Sequence, residues 1–385
     1  MADMTSRERV RAALNHQEPD RVPTALGGGP YGVVDDLYLK LVDYFHLGQP
    51  VAPFRSGHNI SYMDDRLFEK LGVDTRYIWP GASPSDPHPS PDNPDELIDG
   101  YGQPWKRAVP YYYPGSGVLA GALINDIESR VKWPDPSDPR WTAGVRDRAQ
   151  TLKENTQYAV IARMVTSHGP YMTSSHLRGD EQFFLDMAAD EKFTLALVER
   201  VTSSLVELLK KYLEACGPYI DLIELPGDDY ATQTGMAMSP KMFRKYFKPA
   251  IKRLVDTIKT YRADIKVMQH CDGVLTPILP DLIEVGIDVV HPLEPLPAMN
   301  LEGIKANFGD RLTFLGAIDI VRALPGRPQD VMEEVKLRIQ QLAKGGGYIL
   351  APANHVQDDV PPENLTTLFN AARQFGTYPI GAPFA

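Results

Sequence analysis

Histidines and carboxylates recur at matching places in the C-terminal half of this chain. His270, His291 and His355 each follow a short apolar run within a few residues, and Asp272 and Glu224 also lie beside such runs. Imidazole and carboxylate groups bind zinc and other divalent ions, and they also transfer protons near neutral pH. If the apolar runs are parallel strands, these side chains lie at one end of a sheet and form one site.

The segment that begins at His270 carries the densest set of candidate ligands. Side chains alternate along a strand, so His270 and Asp272 face one side if the strand continues, with Cys271 opposite. If the chain already turns at Gly273, His270 and Cys271 share the site instead. The pattern leaves both arrangements open. An incomplete set of three protein ligands is typical of catalytic zinc sites, because one coordination position stays free for substrate.

Alternating elements position these residues. From about residue 157, apolar runs that predict strands alternate with amphipathic segments that predict helices, without hairpin signals between them. Together with an early strand at Arg21–Leu26, this pattern predicts an α/β fold with a single (β/α)8 TIM barrel. A doubly wound nucleotide-binding sheet is disfavoured, because neither GxGxxG nor GxxxxGK[ST] follows any predicted strand.

The N-terminal part of the chain is irregular and rich in proline and tyrosine. It opens with a capping box from Thr5 to Glu8, which predicts a helix start. Residues 75–150 are predicted to form surface insertions or a lid, because segments of this composition rarely build a core of their own. We therefore predict one barrel domain over residues 1–385.

Composition excludes several classes of protein. The 385 residues carry a formal net charge of −10, which offers no electrostatic footprint for nucleic acid. No apolar stretch approaches the roughly 18 residues of a spanning helix, so no membrane association is expected. Two cysteines, Cys216 and Cys271, provide no disulfide framework, and a cytoplasmic location is expected.

Four sequence blocks, in order along the chain, resemble the uroporphyrinogen decarboxylase superfamily. They are Ser6–Val10 continuing to Pro19–Pro23, Gly227–Gln233 continuing to Met238–Phe243, Thr276–Glu284 behind the histidine loop, and Gly345–Pro352 closed by Pro361–Asn364. The blocks extend over nearly the whole chain. The resemblance implies a (β/α)8 barrel, which agrees with the pattern of strands and helices.

The superfamily divides by chemistry, and this sequence departs from both branches. Haem-pathway decarboxylases carry an arginine-rich stretch after the first strand, where this chain has Leu26–Tyr31 without arginine. The sequence more closely resembles the zinc-dependent branch that moves methyl groups between a corrinoid and an acceptor. Alignment to that branch puts His270 on its histidine ligand, Asp272 on its first cysteine and Asn354 on its second. With oxygen donors in place of thiolates, the bound metal is a harder Lewis acid, which predicts that it polarises an oxygen atom of the substrate or activates water or a hydroxyl group.

The resemblance and the strand-end positions together give a set of assigned residues. The predicted ligands of a divalent metal, zinc by preference, are His270, Asp272, His355 and Glu224. Proton transfer, or orientation of a ligand, is assigned to Asp228, Tyr171 and His168. Contacts with a small-molecule substrate are assigned to Tyr230, Gln233, Asn354, Cys271 and His291.

Two functional hypotheses follow from these assignments. The first is a metal-assisted methyltransferase that acts in the demethylation of a small methylated compound. Its corrinoid methyl carrier would come from outside, free or on a corrinoid protein, because this chain has no DxHxxG-type cobalamin motif. The alternative is a metal-free decarboxylase or lyase of a small carboxylate. A homodimer is also expected, since barrels of this type frequently pair.

Overall fold

The computed structural model describes residues 3–55, 57–93, 96–108 and 111–381. Seven parallel strands form a curled sheet in which each strand pairs with the next one along the chain. These barrel strands are β1 (Thr75–Ile78), β6 (Ala159–Arg163), β7 (Leu222–Glu224), β10 (Lys266–His270), β11 (Val289–His291), β12 (Thr313–Ile318) and β13 (Tyr348–Pro352). The remaining strands are β2 (His88–Pro89), β3 (Leu97–Ile98), β4 (Pro104–Ala108), β5 (Tyr111–Pro114), β8 (Ala231–Thr232) and β9 (Gly235–Met236).

The segment around Thr24 closes the sheet into a barrel. On one side Ala25 N donates to Leu350 O at 2.9 Å, and Leu350 N donates to Pro23 O at 2.9 Å. On the other side Asp74 N, just before β1, donates to Thr24 O at 3.0 Å. This segment therefore takes the eighth strand position between β13 and β1. The predicted (β/α)8 barrel is confirmed, including the early strand.

Helices connect the strands and cover the outside of the barrel. They are α1 (Ser6–Leu14), α2 (Asp35–Tyr44), α3 (Asp65–Leu71), α4 (Ile127–Arg130), α5 (Val145–Asn155), α6 (Pro170–Arg178), α7 (Asp180–Ala189), α8 (Glu191–Cys216), α9 (Pro240–Tyr246), α10 (Lys248–Tyr261), α11 (Leu279–Val285), α12 (Leu301–Phe308), α13 (Pro328–Leu342) and α14 (Pro362–Phe375). The predicted capping box at Thr5 and Glu8 is present at the start of α1. Among the described residues, no helix is both long and apolar enough to cross a membrane.

The region predicted as surface insertions, residues 75–150, has three parts. Its first residues form the buried barrel strand β1. Its last helix, α5, packs against β1, β6 and α8. Between them, β2 to β5 form an antiparallel sheet, and Trp105 on β4 stacks against His168 with ring centroids 6.0 Å apart. This small sheet thus covers part of the barrel end at which the strands terminate.

Candidate metal centre and active-site cavity

Two neighbouring barrel strands end in histidines that are hydrogen-bonded to each other. The strand register pairs His270 with His291, and their Nδ1 atoms lie 2.9 Å apart. His291 Nε2 lies 3.3 Å from Pro352 O, which can only accept a hydrogen bond. Burial is the main cause that lowers the pKa of His291 well below its usual value, so this imidazole is neutral. Its proton is on Nε2, and its Nδ1 accepts the proton of His270 Nδ1.

This hydrogen-bond network orients His270 for metal binding. With Nδ1 protonated, a neutral His270 has its free lone pair on Nε2. That atom lies 3.9 Å from Asp229 Oδ1 and 3.8 Å from Asp272 Oδ1. One ligand atom from each of these three residues lies within 4.8 Å of the other two. A neutral imidazole with two carboxylates is a suitable donor set for zinc or another divalent cation.

Asp272 provides a direct test of whether these residues fit a cation. Its Oδ1 is buried, yet it has no hydrogen-bond partner in the described part of the chain. Its Oδ2 accepts from Asn354 Nδ2 at 2.7 Å. Burial, opposed by His270 and assisted by the negative charge of Asp229, raises the pKa of Asp272 to about 7. A buried carboxylate oxygen without a partner is costly, and a bound cation would remove that cost.

Cys271 points away from this cluster. Its side chain is fully buried, and its Sγ lies 3.4 Å from the backbone oxygen of Asp272. Burial first, and then the charge of Asp229, raise the pKa of the thiol well above its usual value. Its sulfur is not one of the ligand atoms that converge in the group formed by Asp229, His270 and Asp272. Of the two arrangements left open by the sequence, the structure has Asp272 beside His270.

Glu224 and His355, the other two predicted ligands, lie in the wall of a cavity next to the cluster. Both oxygens of Glu224 are occupied, Oε1 by the Tyr31 hydroxyl at 2.6 Å and Oε2 by Gly29 N at 2.8 Å. His355 Nε2 lies 2.9 Å from Gly29 O and donates to it. Burial is the main cause that lowers the pKa of His355 to about 3. Both side chains shape the cavity, and Asp229 occupies the third position of the candidate metal centre instead.

The cavity has a volume of about 160 Å³ and opens at the carboxyl ends of the strands. Its wall combines imidazole, carboxylate and guanidinium groups with a few apolar side chains. The titratable residues lining it are His58, Arg163, His168, Glu224, Asp229, His270 and His355. A cavity of this size accommodates a small molecule or the reacting end of a larger one.

Comparison with known proteins identifies the family. The family model for uroporphyrinogen decarboxylase (URO-D) matches residues 117–375. The chain belongs to the URO-D family. The family confirms the resemblance seen in the sequence blocks. A search of curated protein sequences found no match.

Solved structures similar to this URO-D family member include a methyltransferase from Methanosarcina mazei. It is 19% identical, with a TM-score of 0.69 over 97% of this chain and 99% of that chain. This likeness shows the same fold over the full length. A putative vitamin-B12 independent methionine synthase from Listeria monocytogenes is 13% identical, with a TM-score of 0.41 over 92% and 96% of the two chains. Xylanase 10B from Thermotoga maritima is 9% identical, with a TM-score of 0.40 over 65% and 85%.

Asp228 of this URO-D family member holds the start of α6. Its Oδ1 accepts from Met172 N at 2.8 Å, and its Oδ2 accepts from Tyr171 N at 3.1 Å and from the Tyr230 hydroxyl at 2.6 Å. Burial raises the pKa of Asp228 to about 7, against the effect of these three hydrogen bonds. The carboxyl group is enclosed by these donors, so its position suits orientation of the loop that carries Asp229.

The other predicted residues are distributed between the core, the cavity and the surface. Tyr171 and Tyr230 pack their rings against Phe247 in an aromatic cluster. His168 lines the cavity and, besides Trp105, contacts the His176 ring at a centroid distance of 4.7 Å. Gln233 is exposed in the turn between β8 and β9, outside the cavity.

Three titratable residues that line the cavity, and Arg55 in contact with one of them, have no role assigned from the sequence. Asp229 follows Asp228 directly, and the strand-end rule that selected Asp228 applies to it equally. Arg163 is the last residue of β6, so the same rule could have found it. Arg55 and His58 lie on an irregular segment far from any barrel strand, and no local pattern marks them. Only the packing of that segment over the barrel brings them to the site.

Proposed function

We propose that this protein is a metal-assisted methyltransferase acting in the demethylation of a small methylated compound. The corrinoid methyl carrier would be supplied from outside the chain. The observation that carries the proposal is the candidate metal centre formed by Asp229, His270 and Asp272 beside the cavity. The full-length similarity to a structure named as a methyltransferase also supports it.

Asp229, His270 and Asp272 would hold a divalent metal, by preference zinc. When bound, the metal would supply Lewis acidity at the oxygen that carries the methyl group, stabilising the anion left on this oxygen when the methyl group passes to the reduced corrinoid. His270 contributes the Nε2 lone pair that its bond to His291 keeps free. The two carboxylates offset the charge of the cation. Because the set contains no thiolate, it suits a methylated oxygen compound better than a methylated thiol.

The remaining residues hold the candidate metal ligands in position. Asn354 fixes Asp272 through its Oδ2, so that Oδ1 faces His270. Asp229 accepts from the backbone N of Asp272 at 2.8 Å, which ties the two carboxylate-bearing loops together. Such supporting hydrogen bonds hold metal ligands in place and commonly change metal affinity 10- to 100-fold when removed. Both hydrogen bonds are already formed in this structure.

Elemental analysis tests the metal centre most directly. Protein purified without chelators or an affinity tag should carry about one zinc per chain, and His270→Ala and Asp272→Asn should each lose it. His88→Ala is a matched control, because His88 is an exposed histidine on β2. Folded wild-type protein that stays metal-free after incubation with excess zinc would contradict the proposal.

Methyl transfer itself is then measured with reduced free corrinoid and a panel of methylated donors. Formation of methylcorrinoid is followed by its absorption spectrum, and it should depend on metal and be lost in His270→Ala. A corrinoid-carrying partner protein, a homodimer and a cytoplasmic location stay predictions. Absence of methylcorrinoid from every donor with fully zinc-loaded protein counts against this reaction.

A metal-free decarboxylase or lyase of a small carboxylate is the second candidate. It is favoured by Arg163, a cavity-lining guanidinium that donates to Ser167 Oγ and forms no ion pair within 4.0 Å among the described residues. In this reaction Arg163 would bind the substrate carboxylate, and protons would be handled by Asp228, His270 and Tyr171. Release of CO2 from a small carboxylate by chelator-treated protein would favour this candidate over the first.

A further inference from the structure

A second, larger cavity adjoins the active-site cavity. Its volume is about 570 Å³, and it lies under the segment that precedes β2. Arg163 lines both cavities, so the two spaces meet at its guanidinium. Apolar groups such as Phe54 and Trp141 form much of the wall, and Arg55 and Asp86 provide further charges.

Arg163 is a buried cation that forms no close ion pair among the described residues. The residue is 8% exposed, and its Nη2 donates a hydrogen bond to Ser167 Oγ at 3.0 Å. No ion pair within 4.0 Å joins it to a carboxylate in the described part of the chain, and Glu224 in the same cavity wall acts on it from farther away. Burying a guanidinium is costly unless an anion or several acceptors compensate for its lost hydration. The described chain offers one hydroxyl, the Phe54 ring with its centroid 5.9 Å from the guanidinium carbon, and the more distant charge of Glu224.

Arg55 is a second buried guanidinium in the wall of the larger cavity. Its Nε donates to Ile60 O at 2.7 Å, and its Nη2 lies 2.9 Å from His58 Nδ1. Its Nη1 is buried without a hydrogen-bond partner among the described residues, and the nearest carboxylate oxygen, on Asp86, is 3.9 Å away. Burial, and then repulsion from Arg163, lower the pKa of this guanidinium well below its usual value.

The two buried guanidinium groups have one carboxylate within ion-pair distance, that of Asp86, which also accepts from Ser167 Oγ at 3.4 Å. Asp35 acts on Arg55, and Glu224 on Arg163, from farther away. Arg140 adds no free charge, because it is exposed and forms a 2.6 Å ion pair with Asp138. Guanidinium groups match carboxylate and related oxyanions through paired N–H donors. The apolar walls add a requirement for a ligand with an apolar body.

We propose that the larger cavity binds the anionic end of an organic substrate, with Arg55 and Arg163 as the recognition residues. The substrate class is a small carboxylate on an apolar body. This inference rests on the proposed function in one respect, since it places the reacting end of the substrate in the adjoining cavity beside His270. The anion site itself requires neither metal nor corrinoid.

Isothermal titration calorimetry with benzoate and benzamide tests this site. The two probes have nearly the same shape, but only benzoate is charged. Benzoate should bind to chelator-treated wild-type protein, and benzamide should bind at least tenfold more weakly. Arg163→Gln should weaken benzoate binding at least tenfold, and Arg163→Lys should weaken it less. Arg140→Gln, at the rim of the same cavity, should leave it within twofold.

The outcomes separate this inference from the proposed function. Benzoate binding that survives chelation and depends on Arg163 supports the anion site, whatever the metal analysis of the same samples gives. Equal binding of benzamide, unchanged binding in Arg163→Gln, or binding of inorganic phosphate without benzoate would overturn it. Circular dichroism of each variant, with Arg163→Lys as the conservative form, separates loss of the site from loss of the fold.

Discussion

The Nδ1 atoms of His270 and His291 lie 2.9 Å apart and are joined by one hydrogen bond. Because Pro352 O accepts from His291 Nε2, the shared proton is on His270. His291 is thus a positioning residue that acts through His270. It keeps the Nε2 lone pair of His270 directed towards Asp229 and Asp272.

Replacing His291 by leucine should lower zinc affinity about 10- to 100-fold, because His270 loses the acceptor that fixes its tautomer and ring orientation. His291→Asn should lose less, since its Oδ1 can accept in place of Nδ1. Competition with a chromophoric zinc chelator measures both affinities. Gln233→Ala, at an exposed turn, is the control and should bind zinc as wild type does. Equal affinities in all four proteins would refute a positioning role.

Replacing Cys271 by alanine should leave zinc affinity within about twofold, because the thiol is buried away from the candidate metal centre. The loss of one buried sulfur should cost about 1 kcal/mol of stability. Asp272→Asn, at the neighbouring residue, should instead lower zinc affinity at least tenfold. Chelator competition and thermal unfolding measure the two effects. Strong loss of zinc in Cys271→Ala would show that the thiol is a ligand.

Replacing Asp228 by asparagine should destabilise the protein by about 1 to 3 kcal/mol. Its carboxylate accepts three hydrogen bonds, and an amide would leave at least one buried donor unsatisfied. Tyr230→Phe, which removes one of these donors, should cost about 1 kcal/mol. The double variant should be less destabilised than the sum of the two, because both changes affect the same hydrogen bond. Urea unfolding measures these values, and strict additivity would contradict the contact.

Asp99 should make the stability depend on pH. It accepts from Trp105 Nε1 at 3.0 Å and from the backbone of Tyr101 and Gln103, and burial raises its pKa to about 6 from a usual 3.8. Between these two values the folded state binds a proton that the unfolded state releases. The free energy of unfolding should therefore decrease as the pH rises from about 4 to about 6, by about 2 kcal/mol from this group.

Urea unfolding of wild type and Asp99→Asn across this pH range isolates that contribution. The variant is uncharged throughout, so its stability should change less between pH 4 and pH 6 than that of wild type. It should also be less stable at pH 4, because the amide nitrogen cannot accept from Trp105. Asp43→Asn on α2, where the side chain is exposed, should follow wild type. Parallel curves for wild type and Asp99→Asn would rule out the assigned pKa.

Much of the barrel could be predicted from the sequence, because its signals are local. A parallel strand buried on both faces is a short apolar run, and an N-cap is a residue type at a fixed place before a helix. These local rules located the strands that end at His270 and His291. They also indicated that the side chains after these strands share one end of the barrel.

The metal ligands could be predicted only in part. Alternation along β10 offered Asp272 if the strand continued and Cys271 if the chain turned at Gly273. The strand ends at His270, yet Asp272 is the residue that lies beside it. Asp228 and Asp229 follow the same strand, and the sequence assigned a role to Asp228 alone. Only the contacts with α6 show that Asp228 holds a helix while Asp229 faces His270. Glu224 was predicted as a ligand from its strand end, but Tyr31 and Gly29 occupy its two oxygens.

By itself, the sequence determined the barrel, its family and the end of it that carries the candidate site. Tertiary structure alone decided which carboxylates meet His270 and that Arg55 and Arg163 share one cavity. The physical reason is the range of the interactions. Backbone periodicity and capping act over a few residues, whereas Arg55 and Arg163 are brought together by packing of an irregular segment over a distant strand.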